Sequence, residues 1–289
     1  MVLGIRLTDE FLKEDHSKSE NETEMKFGQT PRETRSIPGK VYLVGAGPGA
    51  PDLITLRAAE ILKRADVVFH DALVHPDTLL LAQNAEKIAV GKRCGKHSTA
   101  QRFINKRLVD AARKFNTVVR LKGGDPMLFG RAQEEIAALR AAGIDYEVIP
   151  GVTAALAASA DLGVSLTQRG IARSVTFVTA RVGAGEAANN WAASVAQADT
   201  AVIYMGVGQA AEIAAALLAA GVPAATPAVI VENASLPQER RFALTLSELP
   251  QAAGLALSGP ALIMLGEVFA AAREIAAIAG ASPALAAAS

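Results

Sequence analysis

The chain has a single cysteine, Cys94, so no internal disulfide can form, and its four histidines, His16, His70, His75 and His97, show no metal-ligand spacing. A reducing, cytoplasmic setting without a structural metal is the expectation. Net charge is missing too, since 29 Lys and Arg balance 29 Asp and Glu across 289 residues. A protein that grips a phosphate backbone shows a basic excess over the whole domain, so a general nucleic-acid binder is disfavoured. Aromatics make up only 4% of a chain that is 51% apolar. Ala, Val, Leu and Ile must therefore build the core, the composition of helices packed on buried strands. No signal peptide is expected, because Arg6, Asp9, Glu10, Lys13, Glu14 and Asp15 interrupt the start. No membrane span is expected either: the uncharged stretch 213–231 is broken by Gly221-Val222-Pro223 and Thr226-Pro227.

Residues 1–38 are polar, reading DHSKSENETE at 15–24, and predict a disordered leader. From Lys40 onward short apolar runs alternate with segments of helical period. Strands are predicted at 41–44, 67–69, 87–90, 117–121 and 146–149, and helices at 55–64, 76–83, 98–114 and 131–142. Thr55 and Ser98 are suited to helix N-caps and Gly143 to a C-terminal stop. Beyond Pro150-Gly151 an Ala-rich helix at 153–161 precedes strands at 175–179, 201–205, 228–231, 241–246 and 261–265, with helices at 209–220 and 268–279. The pattern predicts two α/β domains, 39–151 with a largely parallel sheet and 152–270 with a mixed one, a cleft between them, and an Ala-rich tail at 271–289.

Two loops stand out as chemistry-bearing. Val41-Tyr42-Leu43-Val44-Gly45-Ala46-Gly47-Pro48-Gly49 is a strand running into a glycine-rich turn. Gly45, Gly47 and Ala50 satisfy the dinucleotide fingerprint, with Asp66 about 20 residues on, but Pro48 and Pro51 delay the helix that should face a pyrophosphate. A nicotinamide site and a merely structural tight turn both remain open on this loop alone. The second loop runs from Arg120 to Arg131 as RLKGGDPMLFGR and leads into a helix carrying Glu134 and Glu135. Asp125 there can meet an amine or a ribose, or simply cap the next turn. Both loops follow strands of one sheet, where open α/β folds collect ligands.

VGAGPG and RLKGGDPMLFGR, followed by PGVTAA, YMG and VENAS, make the chain similar to the tetrapyrrole methylases, from about Lys40 to about Val268. The resemblance is strongest to members that methylate uroporphyrinogen III at C2 and C7, giving precorrin-2 for sirohaem and cobalamin. It implies a homodimer with S-adenosyl-L-methionine as methyl donor. It assigns cofactor contacts to Pro48, Gly123, Gly124, Asp125, Leu128, Thr153, Ala154, Met205 and Ala234. His70-Asp71-Ala72-Leu73-Val74 and Gly91-Lys92-Arg93 match the segments that supply a proton acceptor, here Asp71, and a proton donor, here Lys92. Asp71 as a turn cap and Lys92 as a carboxylate anchor stand beside those roles.

An octacarboxylate substrate calls for clustered cations. Between Lys87 and Arg131 stand twelve Lys or Arg and two acids, Asp110 and Asp125, a local excess of ten. Much of this is expected on a solvated helix face. Arg93, Lys96 and Arg131, beside glycine-rich loops, and Arg169 are the better carboxylate ligands, with Glu134 on the same substrate side. Gln168 and Arg181 occupy positions where the resemblance leads one to expect histidine, and neither can replace a titrating imidazole. A later precorrin substrate, a nicotinamide-dependent oxidoreductase and a non-catalytic tetrapyrrole binder are the rival readings.

Overall fold

Buried apolar strands of four to six residues organise the molecule into two five-stranded sheets that follow one another along the chain. The computed structural model describes residues 37–90, 99–181 and 189–271, all within one unit, Thr34–Ser289. The polar leader before Ile37 and the tail after Ala271 lie outside the described residues.

The first sheet comprises β1 (Lys40–Gly45), β2 (Val67–His70), β3 (Glu86–Ala89), β4 (Thr117–Lys122) and β5 (Tyr146–Ile149), in the order β3-β2-β4-β1-β5. Every pairing is parallel. Its helices are α1 (Leu56–Lys63), α2 (Pro76–Leu79), α3 (Thr99–Ala112) and α4 (Ala132–Ala141). Alternation sorts the side chains: Tyr42, Val44, Val119 and Leu121 pack with Ala58, Ile61 and Leu62 of α1. Val41, Phe69 and Val118 pack instead with Ile104 and Leu108 of α3 and Leu139 of α4. The Thr55 hydroxyl accepts the Ala58 N–H at 3.2 Å and caps α1 as its sequence predicts.

The second half contains α5 (Ala154–Leu162), β6 (Val175–Thr179), α6 (Trp191–Ala196), β7 (Thr200–Tyr204), α7 (Ala210–Ala219), β8 (Pro227–Glu232), β9 (Arg240–Thr245) and β10 (Ala261–Gly266). The strand order is β6-β7-β10-β8-β9. Only β6 and β7 are parallel, so the sheet is mixed as expected. One face buries Ile203, Ile230 and Ile263 against Ile213 and Leu217 of α7. The other buries Val202, Val231 and Met264 against Ala155 and Ala158 of α5.

Every predicted strand is present, and the deviations have local causes. β7 ends at Tyr204 rather than 205 because Met205 turns to a left-handed φ of 57°. The helix predicted over 76–83 stops at Leu79, where bonds such as Leu80 N–H to Asp77 C=O tighten the chain into turns. The short α6 was not predicted, since one turn and a half shows little period. After β9 a 3-10 helix, Leu246–Gly254, replaces the predicted last strand residue; the Glu248 carboxylate accepts the Thr245 N–H at 2.8 Å and closes a capping box. The helix predicted over 268–279 opens as a 3-10 turn, Glu267–Phe269, and beyond Ala271 falls outside the described residues.

Glu232, at the end of β8, is buried and fully engaged. One oxygen accepts the Ser258 and Gly259 N–H groups, each at 2.6 Å, and the other accepts Arg240 Nε at 2.6 Å. Burial alone would raise its pKa, but the Gly259 and Ser258 amides and Arg240 together hold it below the ordinary carboxylate value. A depressed folded-state value means the contribution is whole above the ordinary carboxylate range and is lost as pH falls through it. Glu232→Gln should therefore destabilise by about 3 kcal/mol at neutral pH. In urea titrations repeated down the acid side, the gap between variant and parent should narrow.

Candidate active site

β4, β1 and β5 are neighbours, so the loops at their carboxyl ends lie side by side. They meet through glycine. Ala46 N–H bonds to Lys122 C=O at 2.8 Å, and Gly47 and Gly124 exchange bonds of 3.3 and 2.7 Å. A Cβ on Gly45 would stand 2.6 Å from the Gly151 Cα, and one on Gly151 would stand 2.4 Å from the Gly124 oxygen. No side chain fits between these backbones. Asp125 ties the second loop to the third: Oδ1 accepts the Met127 N–H at 2.8 Å, and Oδ2 accepts the Gly151 N–H at 2.9 Å. The turn-capping role open in the sequence is thus real, and each oxygen keeps a lone pair.

The second half closes on these loops. Ala50 N–H donates to the Ser235 hydroxyl at 3.0 Å, and a Cβ on Gly49 would press on Leu236. Buried Ala234 sits in that same turn, between Asn233 and Ser235, both with left-handed φ. Tyr204 is the other link. Its hydroxyl lies 2.6 Å from Thr153 Oγ1 and accepts the Ala155 N–H at 3.3 Å, while its ring meets Phe129 at 5.1 Å and Phe177 at 6.3 Å. Burial pushes the Tyr204 phenol above its ordinary pKa. Phe129, Arg131 and Met205 all adopt left-handed φ. Non-glycine residues in that conformation gather where function demands it. Met205 is 50% exposed and offers an apolar thioether at the rim; Pro48, Leu128, Thr153 and Ala154 are partly exposed around the same loops.

The loop after β2 brings Asp71 alongside. Its Oδ1 accepts the Leu73 N–H at 3.0 Å; its Oδ2 lies 3.4 Å from the Gly123 nitrogen and 3.8 Å from an Arg120 nitrogen. Behind it, strand alternation points Arg120 and Lys122 at α3 and α4, where both are buried. Glu135 of α4 answers them, accepting from Arg120 Nε at 3.0 Å and from Lys122 Nζ at 3.2 and 3.1 Å, while Gln101 of α3 donates at 3.2 Å. Burial lowers the Lys122 pKa and the Arg120 charge lowers it further, against the opposing pull of Glu135 and Asp71.

Arg131 and Glu134 form a two-bond ion pair at 2.6 and 2.8 Å, and Arg131 holds the Glu134 carboxyl below its ordinary pKa against the upward push of burial. Arg169 is exposed in the turn closed between Gln168 and Ala172 and is not among the partners of Asp71. Lys92, Arg93 and Lys96, with Cys94 and His97, lie outside the described residues. Asp66, the acid of the dinucleotide reading, lies at the amino end of β2, where it accepts the Asn116 and Thr117 N–H groups at 2.9 and 2.8 Å. It is at the wrong end of the sheet for a ribose held by the first loop.

Tyr204 and Gln101 escaped the sequence reading, and so did the burial of Arg120 and Lys122 against Glu135. The signal for the cations was available: Val118-Arg120-Lys122 alternates inside a strand buried on both faces, so the charges needed a buried acid.

Interlocked glycine loops at the carboxyl ends of a parallel sheet, covered by a mixed-sheet half, define a class. Residues 40–250 match the profile of the tetrapyrrole (corrin/porphyrin) methylases, and the chain belongs to that family. It is 48% identical to the uroporphyrinogen-III C-methyltransferase of Pseudomonas aeruginosa over 231 residues, covering 80% of this chain and 94% of that one. It is equally identical to the siroheme synthase of Chromobacterium violaceum over 232 residues, but spans only about half, 49%, of that protein. The uroporphyrin III C-methyltransferase of Thermus thermophilus, solved in its native form and with S-adenosyl homocysteine, superposes with a TM-score of 0.71 at 43% identity, covering 80% of this chain and 98% of the other.

Tyr204→Phe keeps the ring contacts and removes the hydroxyl that joins Thr153 and Ala155. It should cost about 1–2 kcal/mol in equilibrium unfolding. Phe177→Leu, which leaves those bonds alone, should cost less.

Proposed function

We propose that this chain transfers methyl groups from S-adenosyl-L-methionine to C2 and C7 of uroporphyrinogen III, giving precorrin-2 for sirohaem or cobalamin. The observation that carries this reading is the meeting of the three glycine-bearing loops beside Asp71 in a chain of this family. The residues fit the methyl donor. A Cβ on Gly124 would find no atom nearer than the Thr153 Cα at 4.0 Å, so the missing side chain leaves room between the loops. Exposed Met205 and partly exposed Leu128 supply apolar walls.

In this reading Pro48, Gly123, Gly124, Thr153, Ala154 and Ala234 present backbone to the cofactor, and Asp125 turns its spare lone pairs to hydroxyl or ammonium groups. When bound, S-adenosyl-L-methionine supplies a methyl group on a sulfonium, open to attack by an electron-rich pyrrole carbon. Asp71 accepts the proton that the macrocycle must then release, and Lys92 returns one. Arg93, Lys96, Arg131 and Arg169 anchor substrate carboxylates, with Glu134 holding Arg131 until a substrate carboxylate takes its place. Gln168 and Arg181 leave the proton relay to groups other than histidine. Residues 39–151 and 152–270 serve as two α/β domains, and the working enzyme is a cytoplasmic homodimer without a metal. Among the described residues no helix is long and apolar enough to cross a membrane.

Purified protein given S-adenosyl-L-methionine and freshly generated uroporphyrinogen III should yield a doubly methylated product by mass spectrometry. Absence of that product sinks the reading. Asp71→Asn should lower turnover by about 100-fold or more while calorimetry shows S-adenosylhomocysteine bound as before. Unchanged turnover would take the proton role from Asp71.

A further inference from the structure

The carboxylate of Asp71 faces a cation, Arg120, at 3.8 Å, and Lys122, two residues further along the same strand, interacts with its charge. Both are buried on β4, and each bonds Glu135 more closely, at 3.0 and 3.1 Å, than Arg120 approaches Asp71. Glu135 has no solvent exposure at all. Its Oε1 takes three donors, Arg120 Nε, Lys122 Nζ and Gln101 Nε2, and its Oε2 takes Lys122 Nζ. Of the two terminal guanidinium nitrogens, Nη1 is tied to backbone, to Leu121 C=O at 2.9 Å and Phe69 C=O at 3.4 Å, and Nη2 is the one that faces Asp71 Oδ2 at 3.8 Å. Two of the three Arg120 nitrogens are thus held by Glu135 and backbone, which keeps the third at a distance from Asp71 longer than a hydrogen bond. In a low-dielectric interior Arg120 without Glu135 would turn to the carboxylate it already faces, Asp71, and Lys122, whose charge also acts with Asp71, would lose its own partner.

We propose that Glu135 is a positioning residue for Asp71. By holding Arg120 and Lys122 on the α4 side of the sheet it stops them from closing on the Asp71 carboxylate, which stays turned to the substrate. The inference rests on Asp71 being the proton acceptor. Gln101 extends the same hold to α3, and Asn105 adds a bond from α3 to the Glu134 C=O at 3.2 Å. One carboxylate thereby ties the end of β4, next to the second glycine loop, to both α3 and α4.

The test is a double-mutant cycle between Glu135→Gln and Asp71→Asn, read as kcat per folded protein with S-adenosylhomocysteine affinity measured alongside. Glu135→Gln alone should lower kcat by about tenfold or more, with cofactor affinity and KM for the methyl donor within about threefold of the parent. In the Asp71→Asn background the same substitution should change single-turnover rates by less than about threefold, because its target is gone. A purely structural Glu135 would lower the melting temperature in both backgrounds and leave kcat of the folded protein alone; that result overturns the inference, as does a kcat loss that persists at full size without Asp71. Should Asp71→Asn itself turn over normally, the proton-acceptor reading falls and this one with it. If Glu135→Gln does not fold, Gln101→Leu keeps the carboxylate and removes one neutral donor. The same cycle should then show an effect of about threefold that vanishes with Asp71, and additivity would overturn the inference.

Discussion

The contact on which the site depends is backbone against backbone. Gly45, Gly124 and Gly151 come so close that a methyl group on Gly45 or Gly151 would collide with main-chain atoms of another loop. Because β4, β1 and β5 are adjacent, their loops would crowd each other if they carried side chains. Glycine converts that crowding into a paired layer, with the Gly47–Gly124 bridge continuing the sheet's hydrogen bonding past its edge. The rest of the geometry follows. Asp125 can bond the third loop only because that loop is already within reach, and Thr153 meets Tyr204 only because Gly151 has set its height. The glycines serve close approach first, and room for a ligand second.

Charge is managed by the same economy of position. The basic excess between Lys87 and Arg131 suggests an open cationic surface, but much of it is already spoken for. Arg120 and Lys122 are buried on Glu135, Lys106 pairs with Asp110, and Arg107 stacks between Phe69 and Phe103 at 5.6 and 5.4 Å. Arg131 is engaged by Glu134. Asp110 answers from within the run, and Glu134 and Glu135 from just beyond its end, on the first turn of α4. Zero net charge and a local basic run are therefore two views of one arrangement, in which cations are stored against partners that differ in how easily they exchange. A surface pair such as Arg131–Glu134 can exchange partners at little cost; a buried one such as Lys122–Glu135 cannot.

Much of the fold was legible because strand burial writes itself as apolar runs. The ten strands were readable from 41–44, 67–69 and their successors, and the helix cap at Thr55 from its hydroxyl. Glycine loops at strand ends likewise announced where the chain's backbones meet. What stayed hidden was relational. Nothing in the local sequence of Tyr204 says that its hydroxyl reaches Thr153, fifty-one positions away. The same holds for Asp66, whose spacing from Gly45 imitates a dinucleotide site while its place at the amino end of β2 forbids one. Spacing along the chain measures distance in residues, and only the direction of the strand turns that into an end of the sheet.

The left-handed residues give this its last step. Phe129, Arg131 and Met205 break the rule that non-glycine residues avoid positive φ, and each does so where a strand or loop must deliver a side chain to the rim. At Met205 the turn ends β7 one residue early, so that Tyr204 stays in the sheet to meet Thr153 while Met205 swings out to half exposure. An extended Met205 would continue the strand's alternation and face the opposite side of the sheet from Tyr204. The conformation costs about 1–2 kcal/mol by ordinary measure. It is sustained because neighbours on both sides, the Tyr204 hydroxyl bonds and the packing of Ile203 under Gly206, fix the chain before and after it. Strain at the rim is thus held by order behind it, as the reach of Asp71 is held by Glu135.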